Sequence, residues 1–369
     1  MPFVTHSFAA EVAEEAREMR SARTSALVAA VLILLAGPLL AETSERCCYE
    51  LAAEIRMAEA GDGLLAQELF HGVAAKDGFA YVVTQADVLY VFDLRELPET
   101  GDPIRVDQPV AQILLSHGTR SGLLRDGDRL YVYGWGGGLI LDIEDAANPI
   151  QIGAFRDSDE RIFHLAKDGH VFIAACHERV VIYSEEMLPD YPMLAYNLEM
   201  EPWVQASGVA VVGDRLVVSG SRRRSSGATE SWLGIWDVSD FTRPQFLSAG
   251  RAGPHSSQVV ASGTDLLRVA GGGAELWRVD GVEPQLLDDA VICGRAIALD
   301  GDIIVFDGGA LMVEEDRIEP LCAFDSTEDM CYDGFPSLGT STNGHVLLAR
   351  PRSILVLRRV DAASVEPTP

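Results

Sequence analysis

Basic residues are scarce in this chain of 369 residues, and their scarcity excludes one class of function. Only 29 lysines and arginines stand against 56 acidic residues, so the formal net charge is −27. A body this acidic repels phosphate backbones and anionic membrane surfaces, and we therefore expect no nucleic-acid binding. The alternative explanation needs no partner, because the same charge also keeps an exported protein soluble.

Catalytic and metal-binding motifs are also missing. The sequence has no CxxC pair and no histidine and aspartate cluster with a short ligand spacing, so we expect no metal site. It has no GxSxG or HExxH motif and no paired catalytic carboxylates, so we expect neither a cofactor nor an enzyme of those classes. The glycine runs at residues 134–138 and 271–273 lie between two predicted strands, which indicates turns rather than phosphate-binding loops.

No apolar run is long enough for a typical membrane-spanning helix. The longest apolar stretch covers residues 26–40, follows a basic segment, and ends before Ala41. This is the pattern of an export signal, so we predict a signal peptide at residues 1–41. Met19 is an alternative start, and an uncleaved anchor is the alternative to cleavage. We expect the mature protein in the periplasm, on the cell surface or outside the cell, without membrane contact after cleavage.

Six cysteines follow the predicted signal, and an even number in an oxidising compartment permits disulfides. Cys322 and Cys331 flank a polar loop, so we predict that these two residues pair. The state of the other four stays open; they are Cys47, Cys48, Cys176 and Cys293.

Seven repeats make up most of the chain. Each has a run of small residues, an apolar strand that begins at glycine, a second apolar strand and a proline, and in the first six repeats a fourth run follows, such as PIRV or PQFLSAG. Four short strands repeated about every 40–50 residues are typical of a propeller blade. We therefore predict an all-β, seven-bladed β-propeller with four-stranded antiparallel blades over residues 69–369. The predicted repeats lie at about 69–110, 111–157, 158–200, 201–250, 251–290, 291–332 and 333–360.

The seventh repeat lacks the fourth run, and this affects how the ring is expected to close. A sheet edge that stays open is a site for unwanted pairing with other chains. Residues 42–68 precede the first repeat and belong to none. We predict that part of this segment supplies the missing outer strand and closes the ring.

Repeats two and four carry the clearest form of the pattern. The second reads GDRLYVYGWGGGLILDIEDAANPIQIGAF, and the fourth contains GDRLVVSG followed by LGIWDVSDFTRPQFLSAG. This pattern resembles the LVIVD-repeat β-propellers of exported bacterial and archaeal proteins, over roughly residues 69–360. The third repeat departs from it at Ser184, where the pattern has aspartate. The resemblance implies the architecture but no activity, because that family has no single established chemistry and no catalytic motif.

Polar residues at or just before the inner strands are the candidates for a ligand site. Equivalent positions in a ring of repeats converge on its axis, so we expect a small cationic and aromatic patch at the channel mouth, suited to an anionic or polar ligand. The alternative is that these are unrelated solvated loop residues. The candidates are His71, Arg120, His164, Trp203, Gln205, His255 and Arg295.

These observations favour a monomeric, non-enzymatic binding or interaction propeller. Its partner would be a protein or a small polar or anionic ligand, bound at the channel mouth or the rim. One alternative is a hydrolase or lyase that uses the channel-mouth histidines and arginines on an anionic substrate. Another is an assembly or adhesion module that contacts its partner through the loop of Arg222, Arg223 and Arg224.

Overall fold

The computed structural model divides the chain into two compact units, Met1–Cys47 and Cys48–Pro369, and every described residue lies in the second unit. The predicted signal peptide at residues 1–41 therefore lies outside the described residues. The structure describes residues 49–56, 70–84, 86–98, 102–115, 122–185, 193–199, 204–223, 228–251, 257–262, 265–270, 273–281, 283–290, 296–300, 302–306, 309–314, 316–323, 337–342, 344–350 and 353–360.

All elements in these ranges are β-strands, which confirms the all-β prediction, and none is a helix able to cross a membrane. In chain order they are β1 (Tyr49–Ile55), β2 (Phe70–Lys76), β3 (Phe79–Thr84), β4 (Val88–Asp93), β5 (Ile104–Val106), β6 (Ala111–Leu114), β7 (Gly122–Asp126), β8 (Arg129–Asp142), β9 (Ile150–Asp168), β10 (Val171–Cys176), β11 (Arg179–Ser184), β12 (Met193–Glu199), β13 (Val204–Val212), β14 (Arg215–Arg223), β15 (Thr229–Asp237), β16 (Gln245–Arg251), β17 (Ser257–Ser262), β18 (Asp265–Ala270), β19 (Gly273–Arg278), β20 (Gln285–Ala290), β21 (Ala296–Asp300), β22 (Ile303–Phe306), β23 (Gly309–Glu314), β24 (Arg317–Ala323), β25 (Ser337–Leu338), β26 (Thr340–Thr342), β27 (His345–Ala349) and β28 (Ile354–Arg359).

Some central strands, such as β3 and β22, are buried at every residue because both of their faces are covered. Successive side chains of a strand point to opposite faces of the sheet. In β28, Val356 packs in a cluster with β2, β3 and β4, whereas Leu355 and Leu357 pack against β21 and β22. The described residues form seven such hydrophobic clusters, each between the strands of successive repeats. The hydrophobic core therefore consists of separate clusters, each packed between the strands of neighbouring repeats.

Two glycine environments explain why the repeats use this residue. Gly213 lies in the turn between β13 and β14 with a φ of 54°, and a Cβ there would have open space around it. Glycine is favoured at this turn by its backbone conformation. A Cβ on Gly72 would instead lie 2.9 Å from the Cα of Gly122, so the inner strands β2 and β7 can approach closely only without side chains there.

The described strands form six sheets, which corrects the prediction of seven. Repeats two and three share one six-stranded sheet, ordered β12-β11-β10-β9-β8-β7. The two repeats merge because β8 and β9 are long strands, and Trp135 of β8 pairs with Arg161 of β9. This pairing continues the ladder across the connection between the repeats.

The sheet of the last repeat contains strands from both ends of the described chain. Its order is β26-β27-β28-β1-β5, with β1 antiparallel to β28 and parallel to β5. Glu50 of β1 forms an ion pair with Arg358 of β28, and Tyr49 Oη donates a hydrogen bond of 2.5 Å to Asp300 of β21. The segment before the first repeat thus supplies a strand to the last one.

One outer strand differs from the prediction. The run PIRV was expected to form the outer strand of the first repeat, but Ile104–Val106 pairs with β1 in the last sheet. The outer strand of the first repeat is Ala111–Leu114, which pairs with Val88–Asp93. The physical reason is that β1 offers backbone hydrogen-bonding groups along its outer edge, which β5 fills.

Candidate functional site

Three of the seven predicted channel-mouth residues are described, and they do not all belong to one sheet. His71 is half-buried in β2, in the sheet of the first repeat. His164 in β9 and Gln205 in β13 lie on neighbouring strands of repeats three and four, and Gln205 is exposed. The other four lie outside the described residues: Arg120, Trp203, His255 and Arg295.

His164 is a core residue and not a residue of an open surface. Its side chain is 5% exposed, and Nδ1 accepts a hydrogen bond of 3.2 Å from the backbone N–H of Val209 in β13. Burial lowers the pKa of His164 to about 4, because the charged imidazolium would lose its hydration. The imidazole is therefore neutral at pH 7 and joins two inner strands.

This histidine should make the fold sensitive to acid. As the pH falls from about 6.5 towards 4, the unfolded state takes up a proton that the folded state does not, so the free energy of unfolding decreases. The loss attributable to His164 should reach at most about 3 kcal/mol near pH 4. In His164→Asn, an amide oxygen can accept the Val209 hydrogen bond without titrating.

Urea unfolding at pH 7.0, 6.0, 5.0 and 4.5 measures this effect. The variant should lose less stability than the wild type over that range. If the free energies of unfolding of the variant and the wild type decreased in parallel as the pH falls, the assignment of this effect to His164 would be wrong. His177→Asn is the matched control, since it makes the same substitution at a side chain that is 44% exposed.

The start of the inner strand carries a β-bulge in three repeats. The ladder register shifts between Phe70 and Gly72 in β2 and between Ala206 and Gly208 in β13. In β9 it shifts where Ala175 pairs with His164 and Cys176 pairs with Ile162. The extra residues are His71, Phe163 and Ser207, so the structural equivalent of His71 in repeat three is Phe163 rather than His164. A bulge re-aims side chains, and bulges are frequent next to functional sites.

A group of cationic and aromatic side chains surrounds the bulge of repeat three. We call Trp135, Arg161, Phe163 and His177 the arginine–aromatic cluster. The Cζ atom of Arg161 lies 5.1 Å from the centroid of the Phe163 ring, and the Phe163 and His177 rings are 6.2 Å apart. Trp135, the ladder partner of Arg161, is 53% exposed. A cation within this distance of an aromatic ring is attracted to its face.

The surroundings of this cluster link it to repeat four. The backbone oxygen of His177 accepts a hydrogen bond of 3.2 Å from Ala206, the neighbour of Gln205. Arg179 Nε lies 3.3 Å from Glu160 Oε2, so this arginine is held by a carboxylate. Burial lowers the pKa of Arg161, although a guanidinium stays charged at neutral pH. The cluster is therefore cationic, partly desolvated and adjacent to a predicted site residue.

Sequence reasoning overlooked the cluster for identifiable reasons. The glycine-rich sequence around Trp135 indicates only a turn, and the inner-strand position of His164 draws attention away from Arg161 because the sequence does not reveal the bulge. The available signal was the Arg-x-Phe sequence of residues 161–163 directly before an inner strand. The pairing of Trp135 with Arg161 depends on two separate repeats, and no local pattern reveals it.

The remaining predicted site residues are placed as follows. Arg222 and Arg223 are exposed at the end of β14, and Arg224 lies outside the described residues. The backbone of Cys322 lies in β24, whereas Cys331, Cys293, Cys47 and Cys48 lie outside the described residues, so the predicted disulfide stays a prediction. Cys176 is fully buried in β10. Within the described ranges, no group of histidine, cysteine and carboxylate side chains is placed to hold a metal ion.

A second surface feature lies between the outer parts of repeats five and six. An open groove of about 1010 Å³ runs along β20, β23 and β24, and we call it the rim groove. Leu286 on its wall is 45% exposed, and Asp288 accepts a 2.8 Å hydrogen bond from the backbone N–H of Ile318, which ties β20 to β24. Its lining includes one cation, Arg317, the apolar residues Leu286, Leu287, Met312 and Val313, and the carboxylates Asp288, Asp302, Glu314, Asp316 and Glu319.

Comparison with known proteins identifies the architecture. No family model and no curated protein matches the chain. The β-propeller domain of Cps50 (Swd1) from Myceliophteria thermophila superposes with a TM-score of 0.53 at 10% identity, over 79% of this chain and 100% of that one. The computationally designed protein Ika8 gives a TM-score of 0.48 at 10% identity, over 83% of this chain and 99% of that one. The similarity to the propeller domain, at such low identity, shows the fold alone and confirms the predicted β-propeller.

Proposed function

We propose that this protein is an exported, non-enzymatic interaction propeller that binds a cationic, partly apolar segment of a partner protein in the rim groove. The observation that carries the proposal is a groove that combines an exposed leucine with five carboxylates against a single arginine. Concave sites that combine apolar walls with a few polar groups are typical of binding pockets. A site of one sign of charge also steers a partner of the opposite sign towards it.

Charge and shape together define the partner. The carboxylates of Asp316 and Glu319 are on exposed residues along one wall, and Leu286 and Leu287 lie on the opposite strand β20. A segment with alternating basic and apolar side chains matches this arrangement, because lysine ammonium groups face the acids while leucines cover the apolar wall. The net charge of −27 assists the encounter at low ionic strength.

Charge reversal in the groove tests the proposal. A synthetic Lys-Leu alternating octapeptide should bind the protein, and Asp316→Lys with Glu319→Lys should weaken its Kd by about tenfold or more at low salt. Asp102→Lys with Asp168→Lys changes the net charge equally at exposed positions outside the groove, and should weaken binding much less. Calorimetric titration measures both. Equal losses in the two double variants would overturn the groove as the site.

The proposal includes the finer architecture. Seven repeats form the ring, with repeats two and three joined in one sheet, and β1 closes the ring as a strand of the last repeat. Seven inter-repeat clusters of the described residues support this, and one of them packs β1, β27 and β28 against β2, β3 and β4. The repeat pattern supports membership of the LVIVD-repeat propellers. The apolar residues 26–40 after a basic segment support export, and fractionation of cells expressing the full chain tests it.

A further inference from the structure

Two ladder partners at the connection of repeats two and three form a polar and aromatic pair, in which Trp135 is exposed and Arg161 is half-buried. Directly paired residues on antiparallel strands extend to the same side, with Cβ atoms about 4.5–5.5 Å apart. Trp135 and Arg161 are such a pair. Trp135 is followed by Gly136 and Gly137, whose φ angles are 74° and 127°, so the backbone turns directly after the indole. The indole remains 53% exposed, although tryptophan carries a large apolar surface.

The guanidinium of this pair is fixed in place before any ligand arrives. Arg161 lies over the ring of Phe163, which the β-bulge brings to this position, and Phe163 is in turn close to the ring of His177. A guanidinium that is positioned and partly removed from water interacts more strongly with an anion than an exposed and mobile one. Arginine also presents paired N–H groups that match the two oxygens of a carboxylate.

Charged side chains of both signs surround this pair. Arg179, Arg222 and Arg223 lie at the same ends of strands β11 and β14, where the backbone bond of His177 to Ala206 joins repeats three and four. Carboxylates accompany these cations, because Glu160 lies 3.3 Å from Arg179 and Glu230 is the ladder partner of Arg222. The attraction of this site for an anion is therefore assigned to the half-buried guanidinium of Arg161 and not to a net positive charge of the region.

We propose that the arginine–aromatic cluster is a binding site for a carboxylate attached to a six-membered ring with an apolar face, either an aromatic acid or a uronic acid. The ring lies against the indole of Trp135, and the carboxylate accepts hydrogen bonds from Arg161. This site is independent of the rim groove, which is formed by repeats five and six, so either can exist without the other.

Calorimetric titration with 2-naphthoate and with glucuronate tests the site, with 2-naphthamide as the uncharged analogue. One of the two carboxylates should bind, and which one does so identifies the ring. Binding of that carboxylate should weaken by about tenfold or more in Arg161→Gln and in Trp135→Ala. If naphthoate is the ligand, the wild-type protein should bind naphthamide no more tightly than these two variants bind naphthoate. Arg161→Lys keeps the charge, and Trp135→Phe keeps an aromatic ring. These conservative variants should bind the carboxylate more weakly than the wild type but more tightly than Arg161→Gln and Trp135→Ala.

Two variants control for unrelated effects. Arg243→Gln removes an exposed arginine, and Phe246→Ala removes an aromatic side chain that is 55% exposed, both in repeat four away from the cluster. Neither should change binding. The proposal is overturned if neither carboxylate binds, if naphthoate binds and naphthamide binds equally well, or if the conservative and disruptive variants of a folded protein bind alike. Binding of the Lys-Leu peptide should be unchanged in Arg161→Gln, which separates this result from that for the rim groove.

Discussion

Replacing Ile55 by alanine should lower the free energy of unfolding by about 2–5 kcal/mol, although this residue precedes the first repeat. Ile55 is completely buried in the cluster that packs β1, β27 and β28 against β2, β3 and β4. The truncation removes apolar contacts and leaves a cavity that neighbouring strands cannot fill, because they are held in their ladders. Urea unfolding followed by far-ultraviolet circular dichroism measures the loss.

The same strand provides the control for this prediction. Leu51 also lies in β1, but it is 36% exposed. Leu51→Ala should therefore change the free energy of unfolding by only about 0.5 kcal/mol. Equal effects at the two positions would mean that β1 does not pack as an integral strand of the last repeat.

Deletion of residues 50–68 examines the closure of the ring itself. Without β1, strand β28 would have an unpaired edge, and the apolar face between the last and first repeats would be exposed to water. The deleted protein should lose cooperative unfolding and tend to aggregate. A deletion variant that keeps the wild-type melting temperature would contradict the proposed closure.

The repeat pattern predicted the strands well because their physical causes are local. A turn glycine such as Gly213 is required by its own φ angle, and an unbroken apolar run such as residues 88–92 indicates a strand covered on both faces. The prediction that Ile104–Val106 forms the outer strand of the first repeat was wrong, because in the sequence any short run of residues after a proline resembles an outer strand. This segment pairs with the outer edge of β1, and β1 comes from another part of the chain.

The number of sheets could not be read from the sequence for a related reason. The spacing of the glycine-led strands shows where each repeat begins. It does not show whether the backbone hydrogen-bond ladder ends between one repeat and the next. The pairing of Trp135 with Arg161 carries it across one connection and merges two repeats into a single sheet. A long-range pair of this kind has no signature within either repeat.

The candidate site was predicted only in part because side-chain direction depends on register. A shift of one residue moves a side chain to the other face of a strand. The bulge at Phe163 displaces the register of repeat three, so His164 points into the core and Arg161 occupies the surface beside Trp135. The cationic and aromatic patch at the channel mouth stays a prediction, and in repeat three the bulge places Phe163, and not His164, at the position equivalent to His71.

Arg268 should be among the most sensitive single positions for stability. Its side chain is 1% exposed, and its guanidinium donates hydrogen bonds of 2.7 Å to Glu275 and 3.0 Å to Ser231 of the neighbouring repeat. Arg268→Met keeps much of the apolar volume but leaves the Glu275 carboxylate without its cation. Breaking a buried pair on one side costs about 3–5 kcal/mol, because the remaining charge has lost its hydration.

Strands β18 and β19 contain a second ion pair that serves as a control, because it carries the same charges but is more exposed. Arg278 and Asp265 join the same strands, β18 and β19, at 3.1 Å, but the side chain of Arg278 is 34% exposed. Arg278→Met should therefore shift the urea midpoint far less than Arg268→Met. Adding Glu275→Gln to Arg268→Met should recover part of the loss, since an amide can still accept the 2.9 Å hydrogen bond from Trp277. A double variant less stable than Arg268→Met would show that the remaining charge is not the source of the loss.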